Sequence, residues 1–205
     1  MVKKLMNKLF KIFTGVTNDI RSFIQYGDLP TWYYIKRGMK IGNNFCRQTL
    51  TKFDISNCYL IKIGDNVTIA NNVQFLCHDD TLVEDLGYRK VGTISIGNNV
   101  FVGAKSLILM NVKIGNNVVI GAGSVVNKDI PDNSVVVGVP AKVIGTYTDY
   151  VLKNESLIPD RNLDITYPYN GKLNEEEKEK ILNACLSGTT FVKIKKFSKD
   201  TKDDG

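Results

Sequence analysis

The stretch IGNNVFVGAKSLILMNVKIGNNVVIGAGSVVNKDI, residues 96–130, decides the fold. An aliphatic side chain occupies every sixth position, and a small or medium-sized residue follows four places after each. The twelve positions of this pattern are Ile96, Val100, Val102, Ser106, Ile108, Val112, Ile114, Val118, Ile120, Ser124, Val126 and Ile130. Helices and alternating strands have shorter periods. The pattern therefore predicts a β-helix of hexapeptide repeats, in which short strands alternate with turns.

Glycine and asparagine mark the expected turns of this β-helix. Gly follows the aliphatic residue of four hexads, and Asn-Asn follows Gly in two of them. Both residue types tolerate left-handed backbone angles, so each repeat is expected to contain a corner. Three hexads form one coil of about eighteen residues, which predicts that Ile96 lies against Ile114 and Val102 against Ile120, roughly 4.8 Å apart. A β-sandwich would instead need alternating strands with wider spacing.

The repeats continue toward the N-terminus and are then interrupted. Hexads are recognisable at residues 41–45, 63–67 and 69–75, but the pattern blurs over residues 47–60. After Phe75 the register restarts only at Ile96, out of step with a period of six. We therefore predict an inserted loop, residues 79–94, of the kind that commonly builds a binding surface. The repeat domain, residues 39–146, would contain roughly four to five coils, enough for a stable stack.

Helical appendages are predicted on both sides of the repeats. The arm of residues 1–38 has helically spaced apolar residues with lysines between them: Leu5, Met6, Leu9, Phe10 and Phe13, with Lys3, Lys4, Lys8 and Lys11. This pattern favours a basic amphipathic helix that either lies on anionic lipid or packs on the β-helix or a neighbouring subunit. In the extension of residues 147–205, Asn174 and Glu177 form a capping signal for one helix at about 174–187.

Composition limits the classes of function. The chain has 205 residues and a formal net charge of +6, which suits an anionic ligand or surface. No apolar run reaches the length of a membrane span, and no signal-peptide cleavage pattern follows the basic N-terminus. The four cysteines lack CxxC spacing, and Cys46, Cys58 and Cys77 lie in or beside repeat positions, where buried thiols are expected. A reduced, cytoplasmic protein is predicted, and nucleic acid is not an expected partner.

His78 is the only histidine and the main candidate for chemistry. It stands at the root of the predicted loop, after Phe75-Leu76-Cys77, a run that we expect to be buried. Imidazole is the side chain best suited to take a proton near neutral pH. Asp79 and Asp80 follow it, and at most one of them is expected to orient the ring because strand neighbours point to opposite faces. One histidine and scattered cysteines do not predict a metal site, and no serine-nucleophile motif is present.

Together these motifs resemble a known family. The hexads, the His-Asp at a loop root, the run from Ile96 to Gly103, the run from Ile120 to Pro131 and the run from Val137 to Ile144 are similar to those of the left-handed β-helix acyltransferases. The resemblance is strongest to the galactoside, maltose and xenobiotic acetyltransferase branch and its polysaccharide O-acetyltransferase relatives. It implies an all-β solenoid with left-handed parallel coils. It also implies a homotrimer that uses acetyl-CoA, with active sites between adjacent subunits.

The resemblance assigns roles to individual positions. His78 matches the catalytic base, and the backbone N–H of Ala104 matches the oxyanion donor. Residues that match the coenzyme A site are Phe101 (where the family usually has Trp), Gly103, Ala104, Ala122, Asn127, Lys128 and Lys142 (in place of a more usual Arg). A lysine keeps the charge of an arginine but loses its bidentate fork. Gln48 matches an acceptor-binding Asn, and we expect Asp79 and Asp80 to contact the acceptor from the loop.

Three classes of function remain open at the level of the sequence. The first is acetyl-CoA-dependent O-acetylation of a saccharide or surface-polysaccharide precursor. The second is acetylation of another acceptor: an antibiotic hydroxyl, serine or an amino-sugar amine. The third is a noncatalytic trimeric scaffold, which would need neither His78 nor Lys128 and Lys142. Polar side chains in the loop favour a glycan, and the basic arm favours a location at the inner face of the membrane if it binds lipid.

Overall fold

The structure is a computed structural model that describes residues 28–167 and 173–194. The chain forms two compact units that divide between Thr148 and Asp149. The helix predicted in the N-terminal arm lies outside the described residues, so both hypotheses for it stay open. In the described part of the chain, no helix is long and apolar enough to cross a membrane.

The first unit is a solenoid of three sheets whose strands follow one another in rotation. The first sheet contains β1 (Lys40–Ile41), β4 (Ile61–Ile63), β9 (Ile94–Ile96) and β12 (Val112–Ile114). The second contains β2 (Cys46–Arg47), β5 (Thr68–Ile69), β10 (Val100–Val102), β13 (Val118–Ile120), β15 (Ser134–Val137) and β16 (Lys142–Thr146). The third contains β3 (Lys52–Phe53), β6 (Gln74–Phe75), β11 (Leu107–Ile108) and β14 (Val125–Val126). All pairs in these sheets are parallel except β15 with β16, which is antiparallel.

The predicted core and register are confirmed. Ile96 pairs with Ile114, and Val102 pairs with Ile120, as the coil of three hexads requires. All twelve pattern positions between residues 96 and 130 are buried, and none is more than 6% exposed. Each buried Val or Ile contributes about 1.5–3 kcal/mol through removal of apolar surface from water. The hydroxyls of Ser106 and Ser124 donate to the carbonyl of Gly121, at 3.1 and 2.7 Å, so these two polar core positions are satisfied.

One corner of the solenoid carries a ladder of asparagine side chains. Asn44, Asn66, Asn99 and Asn117 all have left-handed backbone angles, with φ between 53 and 56°. The side-chain amides of the first three donate to the side-chain oxygen of the asparagine in the next coil, at 2.7, 3.0 and 3.0 Å. Asparagine therefore stabilises this corner in two ways, because it tolerates the left-handed backbone angle and its side chain hydrogen-bonds to the neighbouring coil.

A second corner, which we call the mixed corner, is less uniform. It consists of Leu50, Asn72, Lys105 and Gly123 in successive coils, with φ of 64, 59, 59 and 70°. Left-handed angles cost a residue other than Gly or Asn about 1–2 kcal/mol, so Leu50 and Lys105 are strained. The unfavourable residue at Leu50 is one reason why the hexad pattern blurs over residues 47–60. Others are Thr51, a polar residue that is fully buried, and a 3₁₀ turn at Cys58–Leu60.

The predicted inserted loop leaves the solenoid after β6. It contains β7 (His78–Asp79), a short helix α2 (Val83–Leu86) and β8 (Lys90–Val91), and β7 pairs antiparallel with β8. Ion pairs of Asp79 with Lys90 and of Asp80 with Arg89 join its two arms. The N–H of Gly92 donates to the carbonyl of Cys77 at 2.9 Å and returns the chain toward β9. The loop is therefore a braced hairpin on the third side of the coil.

The first coil is covered by the segment that precedes it. Helix α1 (Thr31–Lys36) places Tyr34 against Phe53 of β3, with ring centroids 5.0 Å apart. Asp28 accepts from Arg47 of β2 at 2.9 Å, and both side chains are at least nine-tenths buried. A buried ion pair of this kind fixes geometry because either partner alone would be left as an uncompensated charge. The start of the described chain is therefore held on the first coil.

The second unit contains more structure than we predicted. Helix α3 (Tyr147–Arg161) spans the division between the units. It is followed by β17 (Asn162–Tyr167), α4 (Glu175–Cys185) and β18 (Phe191–Ile194), and β17 pairs parallel with β18. The capping signal is confirmed, because Asn174 and Glu177 form a complete capping box on α4. Helix α3 was not predicted from the sequence. The helix contains Pro159, and none of its residues is buried, so its apolar residues do not form the stripe by which a packed helix is recognised.

Two predictions of burial were wrong. Cys46 is exposed because it points outward from β2, whereas Cys58 and Cys77 are buried. Leu76 is 36% exposed, since it follows the buried Phe75 on the outward side of the chain.

Candidate active site

His78 is held by a carboxylate that belongs to the preceding coil. Its Nδ1 contacts Oδ2 of Asp54, which follows β3 directly and is 7% exposed. The same oxygen accepts from the N–H of Cys77 at 3.1 Å. The other oxygen of Asp54 accepts from the N–H and the side-chain amide of Asn57, at 3.1 and 3.2 Å. Both oxygens of Asp54 therefore accept hydrogen bonds from groups other than the imidazole, and these bonds fix the carboxylate.

The charge of Asp54 follows from these contacts. Burial alone would raise the pKa of this carboxyl, but hydrogen bonds from His78, Cys77 and Asn57 outweigh it and lower the pKa below its ordinary value. An ionised carboxylate only accepts hydrogen bonds, so the proton shared with His78 belongs to Nδ1. The lone pair of Nε2 is then available to a substrate. The His78 side chain is 30% exposed, which allows this approach.

Neither carboxylate that follows His78 in the sequence orients its ring. Asp80 lies 3.9 Å from Nε2 and forms a two-pronged ion pair with Arg89. Asp79 pairs with Lys90 and accepts from the N–H of Thr81, and these contacts lower its pKa to about 2. This agrees with the expectation that at most one of the two orients the imidazole, since the orienting carboxylate is that of Asp54. Asp54 was missed because it lies 24 positions upstream, inside the stretch where the hexads blur.

A cleft of about 460 Å³ opens beside this pair. It is lined by Asp28, Leu29, Tyr34, Leu50, Lys52, Phe53, Asp54, Ile55, Ser56, Gln74, Phe75, Leu76 and His78. The described lining thus comes from the first two coils and the segment that covers them. Gln48, Asp79 and Asp80, which we expected to contact the acceptor, are not among these residues. Gln48 is exposed after β2, and the two aspartates are engaged within the hairpin.

The predicted coenzyme A residues lie on later coils. Phe101 points outward from β10 and is 45% exposed. Gly103 is buried, and a Cβ there would come within 2.5 Å of the backbone nitrogen of Ala122, so the close stacking of coils requires glycine. The N–H groups of Ala104 and Ala122 have no acceptor among the described residues, so both can donate to a ligand.

The predicted phosphate-binding residues are Asn127, Lys128 and Lys142. The first two are exposed beyond β14, and Lys142 is exposed on β16. None of the predicted coenzyme A residues lines the cleft beside His78 within one chain. The structure thus separates the candidate base and the predicted coenzyme A residues into different coils.

The chemistry open to this site is proton transfer. Cys77 precedes His78, but burial raises the pKa of its thiol to about 12, and the charge of Asp54 adds to that effect. A neutral buried thiol is a poor nucleophile. His78, with an oriented ring and an open Nε2, can instead take a proton from a group bound in the cleft.

Comparisons with known proteins agree with this architecture. The family described as bacterial transferase hexapeptide (six repeats) matches residues 93–128. Protein CapG of Staphylococcus aureus is 44% identical over 150 residues, which are 70% of this chain and 81% of that protein. Galactoside O-acetyltransferase of Escherichia coli is 41% identical over 125 residues, 58% of this chain and 60% of that protein.

A solved structure shows the same solenoid. A hexapeptide-repeat-containing acetyltransferase of Vibrio cholerae, in complex with acetyl-CoA, has 27% identity and a TM-score of 0.50 over 54% of this chain and 61% of that one. With the identity to CapG across most of its length, these matches define the class of protein. The chain belongs to the hexapeptide-repeat acyltransferases, and its solenoid is the left-handed β-helix of that family.

Proposed function

We propose that this protein is an acetyl-CoA-dependent O-acetyltransferase that acts on a hydroxyl of a saccharide or surface-polysaccharide precursor. The observation that carries the proposal is the Asp54–His78 pair at the end of the cleft. A noncatalytic scaffold has no need for a buried carboxylate that fixes one tautomer of a partly exposed imidazole. Galactoside O-acetyltransferase, one of the relatives, supports a sugar hydroxyl as the acceptor.

In the proposed mechanism, Nε2 of His78 takes the proton of the acceptor hydroxyl as that oxygen attacks the thioester carbonyl. Asp54 holds Nδ1 and stabilises the imidazolium that forms. The N–H of Ala104 donates to the oxyanion, an effect worth roughly 3–4 kcal/mol in comparable sites. His78 then returns the proton to the sulfur of the departing coenzyme A, and the acetyl ester leaves.

The coenzyme A residues support a site shared between subunits. Within one chain they do not line the cleft of His78, so we propose that an adjacent subunit of a homotrimer supplies them. Ala122 would donate its free N–H to the pantetheine arm, beside Phe101 and Gly103. Asn127, Lys128 and Lys142 are exposed and suited to the phosphates. The acetyl-CoA complex of the Vibrio cholerae relative supports this cofactor.

His78→Ala is the direct test of the proposed base. We expect turnover to fall by about two to four orders of magnitude, the usual contribution of a general base, because no other histidine can replace it. Release of coenzyme A in the presence of sugar acceptors measures the rate, and the thermal midpoint checks that the variant folds. A rate within about tenfold of the wild type would remove His78 from this role.

Product analysis separates the acceptor classes. The enzyme is incubated with acetyl-CoA and a panel of sugars, glycan intermediates, serine and antibiotics, and any product is treated with mild base. An ester is hydrolysed under these conditions, whereas an amide survives. We expect base-labile acetylation of sugars. A base-stable product, or activity only with serine or antibiotics, contradicts the proposed acceptor.

A further inference from the structure

The cleft beside His78 contains a cation that the proposed mechanism does not use. Lys52 of β3 lines the cleft and is exposed. Asp54, two positions further along and roughly 7 Å away along the chain, lines the same cleft. The ammonium group of Lys52 thus projects from the wall that also carries the orienting carboxylate of His78.

The other charges that line this cleft are already engaged. Asp28 is paired with the buried Arg47 at 2.9 Å, and Asp54 is hydrogen-bonded to His78. Lys52, in contrast, forms no ion pair with any carboxylate among the residues that the structure describes. Lysines on convex surfaces are commonly solvated in this way. Lys52 differs because it lies in a concave site next to a candidate catalytic group.

A second polar group stands beside Lys52. Gln74 of β6 is its register partner in the sheet, is exposed, and lines the same cleft. Adjacent parallel strands are about 4.8 Å apart, so the ammonium and amide groups can reach one ligand group together. The remaining wall is largely apolar, with Leu29, Leu50 and Leu76, and it shields an anion from water on that side.

We propose that Lys52, assisted by Gln74, binds a carboxylate or phosphate group of the acceptor, so that the acceptor is an acidic or phosphate-bearing saccharide. This inference rests on the proposed function and makes its substrate class narrower. The anion lies at the Lys52 end of the cleft, while the reacting hydroxyl lies at Nε2 of His78. Lys52 acts in binding and takes no part in proton transfer.

Lys52→Gln and Lys52→Glu, compared with the wild type, test this assignment. The acceptors are glucose, glucuronic acid and glucose 6-phosphate, which share one ring and differ in charge. We expect the wild type to acetylate the two anionic sugars with the lower KM. In Lys52→Gln their KM rises about tenfold or more, because a charge-assisted hydrogen bond is lost, and Lys52→Glu raises it further. The KM for glucose and for acetyl-CoA stays within about twofold.

Lys62→Gln is the matched control, since Lys62 is an exposed lysine of β4, outside the cleft lining. This variant should leave every KM unchanged. A rise in the KM for acetyl-CoA with Lys52→Gln would assign the cation to coenzyme A instead. An equal loss of kcat with all three sugars, together with an altered pH profile, would show that Lys52 acts on Asp54 and His78 and does not bind the acceptor. Either result overturns the proposal, as does a wild-type preference for glucose.

Direct binding separates this inference from the proposed function. Titration calorimetry with glucuronic acid and glucose 6-phosphate, without acetyl-CoA, should give a Kd about tenfold lower for the wild type than for Lys52→Gln. If the sugars bind in this way but no acetyl transfer occurs, the acyl-transfer proposal fails and the anion site stands. If transfer occurs but the Kd and the KM of the anionic sugars are the same in the wild type and in Lys52→Gln, the anion site fails and the transferase proposal stands.

Discussion

At the residue scale, Asp54 changes how His78 is understood. From the sequence, His78 was a lone histidine with two neighbouring carboxylates, and the ring could have pointed toward either. The structure gives the ring a buried carboxylate on Nδ1, and that carboxylate has three further hydrogen bonds. Asp54 contacts no reacting atom in the proposed mechanism. It is a positioning residue that selects the tautomer with Nε2 free.

Asp54→Asn tests this positioning role. We expect kcat to fall by about 10- to 100-fold while the KM for acetyl-CoA changes little, because the imidazole loses its fixed orientation and its neighbouring negative charge. Steady-state rates, with the concentrations of acetyl-CoA and of the acceptor varied in turn, measure both constants.

Asp80→Asn is the matched control, since Asp80 also lies near His78 but is paired with Arg89. It should change kcat by less than about threefold, as expected for an exposed ion pair. Equal losses of kcat in the two variants, or a loss in Asp54→Asn that appears only in KM, would contradict the role assigned to Asp54.

The sequence predicted His78 but could not predict its partner. His78 was recognisable because it is the only histidine and stands where the hexad register breaks. Asp54 was hidden because it meets His78 only through the stacking of two coils, and its own coil has the weakest repeat pattern. Strained Leu50 and polar Thr51, the departures that obscure this pattern, belong to the coil that builds the cleft.

At the element scale, the mixed corner shows how much the hexad tolerates. Its four residues share one backbone conformation, although only Asn72 and Gly123 adopt that conformation without strain. The hydrogen bonds between coils on either side of this corner fix its backbone conformation. Leu50 and Lys105 therefore keep the left-handed angle despite its cost. The backbone of the solenoid is therefore set by the coil as a whole and only in part by the corner residue.

Exchanging residues within the mixed corner should change stability in opposite directions. Lys105→Asn is expected to raise the free energy of unfolding by about 1 kcal/mol, because asparagine tolerates the left-handed angle. Asn72→Lys, in the neighbouring coil, should lower it by a similar amount. Denaturant midpoints at one fixed protein concentration measure the pair, since assembly also contributes to apparent stability. Changes of the same sign in both variants would contradict this account.

Elements with a strong period were predicted well, and irregular ones were not. The core positions from Ile96 to Ile130 follow from the repeat because each aliphatic side chain must stack on the one below it. Helix α3 lacks such a signal, since its side chains do not divide into a buried and an exposed face. The antiparallel direction of β16 was also not predicted, because an antiparallel final strand does not require the hexad pattern.

At the scale of the whole molecule, the proposed trimer would account for the separation of the candidate base from the predicted coenzyme A residues within one chain. The cleft of His78 belongs to the first coils, whereas Lys128 and Lys142 lie near the last ones. Contact between neighbouring subunits would join the two halves. The active enzyme would then be the assembly, and a single folded chain would not turn over.

Mixed trimers test the shared site. The double variant Lys128→Ala/Lys142→Ala should raise the KM for acetyl-CoA with a smaller effect on kcat, since remote phosphates bind alike in ground and transition states. When it is refolded together with His78→Ala, about a quarter of the subunit contacts would combine an intact His78 with intact lysines. We expect activity to return at low acetyl-CoA concentration.

Each parent variant refolded alone is the control for this experiment, and neither should gain activity. A mixture that is no more active than the average of its parents would show that each site is built within one chain.

The order of strands in the second sheet has a further consequence for any extended ligand. From β10, which precedes Ala104, the sheet continues through β13 and β15 to β16, which carries Lys142. Three strand spacings, roughly 14 Å, therefore separate the predicted oxyanion donor from a predicted phosphate-binding lysine along the solenoid axis. An added or deleted coil would change this span by roughly 5 Å and by no smaller amount. The distance between the two binding positions can therefore change only in steps of one coil. The fixed length of a cofactor then limits how many coils can lie between the residues that bind its two ends.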